Sequence, residues 1–324
     1  MNQEIAVIVP VYNTGKAKLS ACIHSMLRQT FQNLAVVLVD DGSTDDSGAV
    51  CDAYAKKDHR ITVIHQPNKG SVEARKAGIL SETAQQAKYI CMCDSDDTMP
   101  NSAMEKMYNA AVNNDADCVC GVCKRYTGGG GISLPLPERF CAPCFDILQE
   151  KLYTHDAIIR ELYISCFGIS NYPVSLWAKL YKTKLITQAT AYDPIVHFMG
   201  EDLSVTLRVL TETQRLVIIP DIVYHYRIGG GTSRYMPFML EDFLSLYRFK
   251  KEMAEKYSMP QNADYFMAVE MKNILLSWLE MCAVHGGYSK DALLQEAARV
   301  CRIPEIQDAV GQKDFAEKQP DGIR

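Results

Sequence analysis

Tyr89-Ile90-Cys91-Met92-Cys93-Asp94-Ser95-Asp96-Asp97 joins a short apolar run to three carboxylates within four residues. The run has the length and apolarity of a buried strand, and the acids at its end repel one another. Burying such a group without a cation or a partner costs free energy. A divalent ion meets that need, because hard cations take oxygen ligands and Mg²⁺ commonly shares its shell between one or two carboxylates and a substrate's phosphates. The same residues also suit an exposed acidic turn, since Asp and Ser favour turns. The rest of the chain bears on the choice.

Upstream, strand and helix patterns alternate. Ile5 to Val9 is apolar and β-branched, and Leu19, Ile23, Met26 and Leu27 then recur at helical spacing within residues 17–29. Leu34 to Val39 is a second apolar run, ending in Asp40-Asp41-Gly42-Ser43-Thr44. Ser43 or Thr44 is expected to cap the next helix, which runs to about Lys57. Ile61 to His65 reads as a third strand, and Ser71 as the cap of a helix reaching Leu80. Continuous apolar strands, each followed by a helix, predict an α/β protein with a parallel sheet covered on both faces. Ligands gather at the carboxyl ends of such strands. Four loops then share one edge: Pro10-Val11-Tyr12-Asn13, Asp40 to Ser43, Gln66 to Gly70 and Asp94 to Asp97. Neither G-x-G-x-x-G after the first strand nor G-x-x-x-x-G-K-[ST] occurs, which argues against a usual dinucleotide fold or a P-loop.

The second half is less regular. A strand is expected over Ala116 to Val122, a loop around Gly128 to Pro143, and a helix over about Asp146 to Tyr163. Trp177-Ala178-Lys179-Leu180-Tyr181-Lys182 follows; Trp177 and Tyr181 suit either a stacking platform for an acceptor sugar or core packing. Gly200-Glu201-Asp202 leads into a helix from Leu203 to about Glu212, where the acids suit capping as well as chemistry. Leu216 to Pro220 and Ile222 to Tyr226 read as two strands. His225-Tyr226-Arg227, with Ser233, offers groups to a diphosphate or simply ends a strand. From Phe238 to near Val300 the pattern is helical, and Met267, Met271, Ile274, Leu275, Trp278 and Cys282 share a packing face. The runs Gly128 to Gly131 and Gly229 to Gly231 read as flexible loops, and Gln312 to Arg324 as a polar, frayed tail. Cys120-x2-Cys123 and Cys141-x2-Cys144 have the spacing of a four-thiolate zinc site, although Cys118 and Cys120 equally suit one face of a buried strand.

With 34 basic and 39 acidic residues among 324, the net charge of -5 argues against a nucleic-acid partner. No positive segment precedes an apolar one at the N-terminus, so no signal peptide is expected, and the twelve cysteines are expected to stay reduced in the cytoplasm. No run approaches 18 apolar residues, so no membrane span is expected.

Taken in order, Pro10-Val11-Tyr12-Asn13, Val39-Asp40-Asp41-Gly42-Ser43-Thr44-Asp45, Asn68-x-Gly70 with Ala74-Arg75, Asp94-Ser95-Asp96-Asp97 and Gly200-Glu201-Asp202 resemble the family 2 glycosyltransferases. Each motif is weak alone, whereas five in order are specific. The resemblance covers residues 5 to about 235. It implies a Rossmann-like GT-A catalytic domain over 1–235, with a nucleotide part to about 123, an acceptor part over about 145–235, and a helical extension over 236–324. It also implies inverting transfer of one sugar from a nucleotide-sugar donor, a UDP-sugar by expectation, with Mn²⁺ or Mg²⁺. The acceptor would be a saccharide or a lipid-linked saccharide in bacterial cell-surface polysaccharide synthesis, bringing the protein to the inner face of the plasma membrane without a span. The C-terminal helices would offer a homodimer surface.

Position by position, Pro10 and Tyr12 would line the base pocket, Asp41 would accept from the uracil ring N–H, and Arg75 would lie near base or diphosphate. Asp94 would sit near ribose or sugar. Asp96 and Asp97 would hold metal and ribose, either being the direct ligand. Asp202 would be the catalytic base, and Glu201 would stand beside it on the acceptor side; Arg227 is a candidate for the diphosphate from its own chemistry. Transfer needs such a base to take the acceptor's hydroxyl proton, and Asp202 is expected to stand apart from the acid cluster, with its pKa lowered by the helix N-terminus. Lys76 replaces the family's common Asn after the arginine, which puts contacts of that half-loop in doubt. The Gln-x-x-Arg-Trp pattern of processive synthases is absent, so one sugar per encounter is expected. The alternatives are a sugar-phosphate nucleotidyltransferase, which would carry a Gly-rich, Arg-containing loop where Pro10 to Asn13 stands, and a catalytically silent binding subunit.

Overall fold

The computed structural model describes residues 3–127, 134–135, 150–167, 172–191, 196, 200–228, 238–257 and 263–311. The first half is β1 (Ile5–Val11), α1 (Lys16–Leu27), β2 (Leu34–Asp40), α2 (Ser47–Ala55), β3 (Ile61–His65), α3 (Ser71–Ile79), α4 (Glu82–Gln85), β4 (Tyr89–Met92), α5 (Ala103–Asn113) and β5 (Cys118–Thr127). Next come β6 (Leu134–Pro135), β7 (Lys151–Thr154), α6 (His155–Ala157, continued by a π turn to Leu162 and a 3-10 turn to Phe167), β8 (Lys179–Lys182), α7 (Thr183–Thr190), α8 (Glu201–Glu212) and β9 (Arg215–Arg227). The C-terminal helices are α9 (Met239–Lys256), α10 (Ala263–Val284), α11 (Lys290–Val300) and α12 (Pro304–Gly311).

Among the described residues the strands form one sheet in the order β3-β2-β1-β4-β8-β5-β9-β7, with β6 paired to β5. It is parallel through β3, β2, β1 and β4, as the repeated strand–helix pattern requires. Beyond β4 it is mixed, with β8 antiparallel to both neighbours and β5 parallel to β9.

Successive residues of each strand enter opposite cores. Ala6, Ile8, Val37, Val39 and Ile90 face one hydrophobic cluster, whereas Ile5, Val7, Val36, Leu38 and Cys91 face the other. Both faces are thus dry, which is why these strands read as unbroken apolar runs. Leu19, Cys22, Ile23 and Met26 of α1 close the second cluster. The first takes α3 and α8 together with Met267, Met271, Trp278 and Ile306 of the C-terminal helices. Helix α3 packs so closely that a Cβ on Gly78 would fall 2.3 Å from Ile8 Cγ2.

Several expectations change. Ser43 and Thr44 do not cap α2: its N-cap is Asp46, while Ser43 Oγ and Thr44 Oγ1 are occupied with Asn13. Ser71 is the first residue of α3, entered through Gly70. Residues 151–154, expected in a helix, pair antiparallel with β9 as β7. The two strands expected around Pro220 are one strand, because a register irregularity opposite Cys120 to Cys123 takes up the residue that lacks an N–H. Cys120 and Cys123 face opposite clusters and so do not present two thiols to one ion. Cys141, Cys144, both glycine runs, Ser233 and the tail from Gln312 lie outside the described residues. No helix among the described residues is long and apolar enough to cross a membrane.

Candidate active site

In register, Ile8 of β1 lies between Val37 of β2 and Met92 of β4, which brings the carboxyl ends of these strands to one level. They open into a cleft of about 750 Å³, within the usual range for a small-molecule site. Pro10, Tyr12, Asp41, Arg75, Asp94, Asp96, Glu201, Asp202 and Arg227 all line it. Asp97 does not: it is 2% exposed and lies behind the acidic loop.

At one end, the Asp41 carboxylate is held by three donors. Gln66 Nε2 and the Lys69 N–H donate to Oδ1 at 2.7 and 2.9 Å, and the Gly70 N–H donates to Oδ2 at 2.8 Å. The loop after β3 is thereby fixed against the end of β2. Tyr12, half exposed, stands at the rim.

The acidic loop divides its carboxylates. Asp97 accepts from the Tyr224 hydroxyl at 2.8 Å and from the Arg227 N–H at 2.6 Å. Burial pushes its pKa up to about 8, with Asp94 and Asp96 adding to the rise against those hydrogen bonds. The Asp96 carboxyl is also raised, by burial and then by Asp94. Lys18, its own N–H and Arg227 oppose the rise, and Asp96 lines the cleft. Tyr224 also accepts from the Asp94 N–H at 3.0 Å, which ties both ends of the loop to β9.

Across the cleft, α8 begins at Glu201 after Gly200, whose φ of 87° is the left-handed conformation that glycine allows. Asp202 Oδ2 accepts from the Leu176 N–H at 3.3 Å. Arg75 reaches across from α3: its guanidinium lies 2.9 Å from Asp94, 3.3 Å from Glu201 and 3.4 Å from Asp202. Burial works against the charge of Arg75, yet Asp202, Asp94 and Glu201 hold its pKa above the ordinary value. Asp202 is raised rather than lowered, because burial is the largest effect and outweighs Arg75, which opposes it. Burial and the adjacent Asp202 push Glu201 up to about 7. Asp202 is therefore joined to the acid cluster through Arg75 instead of standing apart from it.

Some residues around the cleft carried no role in the sequence reading. Tyr224 is one; the alternation of Tyr224 and Tyr226 along β9 was the available signal. Trp177 lines the cleft and stacks on Tyr224 with centroids 4.6 Å apart, while Tyr181 is buried in the core. His225 packs against Tyr126 away from the cleft lining. Thr14 and Ser95, paired at 2.6 Å, link the loops after β1 and β4.

The family model described as Glycosyl transferase family 2 matches residues 6–168. Glycosyltransferase GlyG of Streptococcus pneumoniae is 33% identical over 237 residues, 72% of this chain and 73% of its own length. The uncharacterized glycosyltransferase EpsJ of Bacillus subtilis is 29% identical over 261 residues, 79% of this chain and 71% of its own. The crystal structure of S. aureus TarS 1-349 superposes with a TM-score of 0.66 at 19% identity, covering 97% of this chain and 83% of that one. The chain belongs to glycosyl transferase family 2 and is a glycosyltransferase built on the GT-A fold.

Proposed function

We propose that the protein transfers a single sugar, with inversion, from a UDP-sugar to a saccharide or lipid-linked saccharide acceptor in cell-surface polysaccharide synthesis. The observation that carries this reading is the meeting, in one cleft, of the strand-end residues Asp41, Asp94 and Asp96 with Asp202 at the start of α8. TarS, which shares the fold, is described in complex with UDP and with UDP-GlcNAc, and this supports a uridine nucleotide as donor. Pro10, Tyr12 and Asp41 would take the base, and Arg227 the diphosphate.

Asp96, a carboxylate that lines the cleft, would be the residue to hold Mn²⁺ or Mg²⁺. Among the described residues no group of three or more His, Cys, Asp or Glu is placed to hold an ion, so the donor's phosphates and water would have to complete its shell. When bound, the ion would stabilise negative charge on the leaving diphosphate. Asp97, already holding Tyr224 and Arg227, supports the loop from behind. Asp202 takes the acceptor's hydroxyl proton; the acceptor oxygen bonds to the anomeric carbon as the carbon–phosphate-oxygen bond breaks and its electron pair leaves with UDP. A buried carboxylate with a raised pKa is a better base than an exposed one.

The test is UDP release from a panel of UDP-sugars with membrane extract as acceptor source. Asp202→Asn should keep UDP affinity while transfer falls about 10²- to 10⁴-fold. Undiminished transfer would remove Asp202 as base, and pyrophosphate release in place of UDP would favour a nucleotidyltransferase.

A further inference from the structure

Lys179 opens β8 with 0% exposure. Among the described residues no carboxylate pairs with its ammonium. It donates instead to two main-chain carbonyls, Pro173 O at 2.7 Å and Ser175 O, and lies over the Tyr172 ring at 5.0 Å from the centroid. Burying an ammonium is costly unless its hydrogen bonds are recovered, so what it holds is informative.

Its neighbours hold the same turn. Thr206 Oγ1 donates to Val174 O at 2.8 Å and Tyr181 OH to Leu176 O at 3.2 Å. Four successive carbonyls, from Pro173 to Leu176, are thus each fixed by a side chain from β8 or α8. Ala178 then turns the chain into β8 at a φ of 58°, a strained conformation for a residue with a Cβ. On its other side the turn serves the cleft. The Leu176 N–H donates to Asp202 Oδ2, Val174, Ser175 and Trp177 line the cavity, and Ser175 Oγ is buried there without a hydrogen-bond partner.

We propose that Lys179 is a positioning residue for the acceptor side of the site, holding the 173–177 turn so that Leu176 aims Asp202 and Trp177 faces the incoming acceptor sugar. An apolar side chain could fill the same volume, but it could not fix two carbonyls. The ammonium also favours the ionised form of Asp202. The proposal rests on the reading of Asp202 as base.

The test compares Lys179→Met, Thr206→Val and Asp202→Asn. UDP affinity with Mn²⁺ is measured by calorimetry, and turnover as UDP release from UDP-GlcNAc, UDP-glucose and UDP-galactose with membrane extract as acceptor source. Lys179→Met should lower kcat about 10- to 100-fold, the scale of a small misplacement of reacting groups, with donor KM and UDP affinity within about twofold. Thr206→Val, which loosens the same turn without touching a charge, should show a smaller drop with the same split, and it decides the matter if Lys179→Met does not fold. Unchanged kcat, or UDP affinity lost in step with turnover, overturns the proposal. An inactive Asp202→Asn beside a fully active Lys179→Met removes the proposal alone; a fully active Asp202→Asn removes the base and the proposal together.

Discussion

Arg75 holds Asp94 with one guanidinium nitrogen, Nη2 to Oδ1 at 2.9 Å, and turns the other toward Glu201 and Asp202 on α8. The loop at the end of β4 and the start of α8 are 107 positions apart between Asp94 and Glu201 (201 - 94), yet one buried cation joins them. Three carboxylates would repel one another without it.

Arg75→Met should therefore destabilise the protein by about 3–5 kcal/mol, the cost of leaving buried charges unpaired. Arg75→Lys should recover part of this, since an ammonium restores charge but not the forked geometry. Urea unfolding of the two variants checks the order. Equal stability of Met and Lys variants would mean that the charge is not what holds the site together.

The acidic loop gives opposite expectations for adjacent residues. If Asp96 holds the proposed ion, UDP binding measured by calorimetry should be strengthened by Mn²⁺ in the parent and not in Asp96→Ala. Asp97→Asn should leave that dependence in place, because Asp97 is buried under Tyr224 and the Arg227 N–H and does not line the cleft. The Asp97 folded pKa of about 8 lies above its ordinary 3.8. The folded state thus holds a proton that the unfolded state releases, and stability falls as pH rises from about 4 through about 8. Asp97→Asn should remove that decline in chelator-treated protein, matching the parent near pH 4 and exceeding it above pH 8 by on the order of a few kcal/mol. Parallel stability curves for parent and variant would contradict this.

The parts legible in the sequence are those governed by local rules. Ile5 to Val9, Leu34 to Val39 and Tyr89 to Cys93 announced buried parallel strands because both faces are dry, and the meeting of their ends in one cleft followed from topology. What was not legible depends on distant partners. Residues 151–154 pair with β9 although their own pattern suggested a helix, and only the opposing strand shows that Pro220 sits at a bulge. Asp97 reads like Asp96 in a list of acids; burial beneath Tyr224 separates them. The helix-end expectation for Asp202 failed because desolvation is the largest effect on this partly buried carboxylate. Lys179 carries no motif signal for its two carbonyl contacts.

His65 bridges two carboxylates at the far edge of the sheet, with Nδ1 2.8 Å from Asp40 and Nε2 3.0 Å from Asp52. These contacts raise its pKa above 6.5 against a small effect of burial. The stabilisation is fully present below the unfolded value and is lost as pH rises through the higher folded value. A proton NMR titration should place the His65 midpoint above 6.5, and Asp52→Asn should move it down. Because the ring is half exposed, the gain in Tm should be modest and reduced by salt. A midpoint at or below 6.5 would mean that the ring is neutral between the two acids.

Gly200 sets how α8 enters the cleft. Its φ of 87° is strained for any residue with a Cβ, and an added Cβ would lie 2.2 Å from Leu246 Cδ1 on α9. Gly200→Ala must therefore shift either the first turn of α8, which carries Glu201 and Asp202, or α9 behind it. The end of the cleft built on β1 and β2, proposed to take the uridine, is untouched. Transfer should fall about tenfold or more from a small displacement of the proposed base, Asp202, with UDP affinity retained by calorimetry. Adding Leu246→Ala removes the clash but not the backbone strain, so the double variant should recover only part of the lost turnover. Full recovery would assign the effect to packing against α9, and no recovery would assign it to the backbone conformation that only glycine adopts without strain.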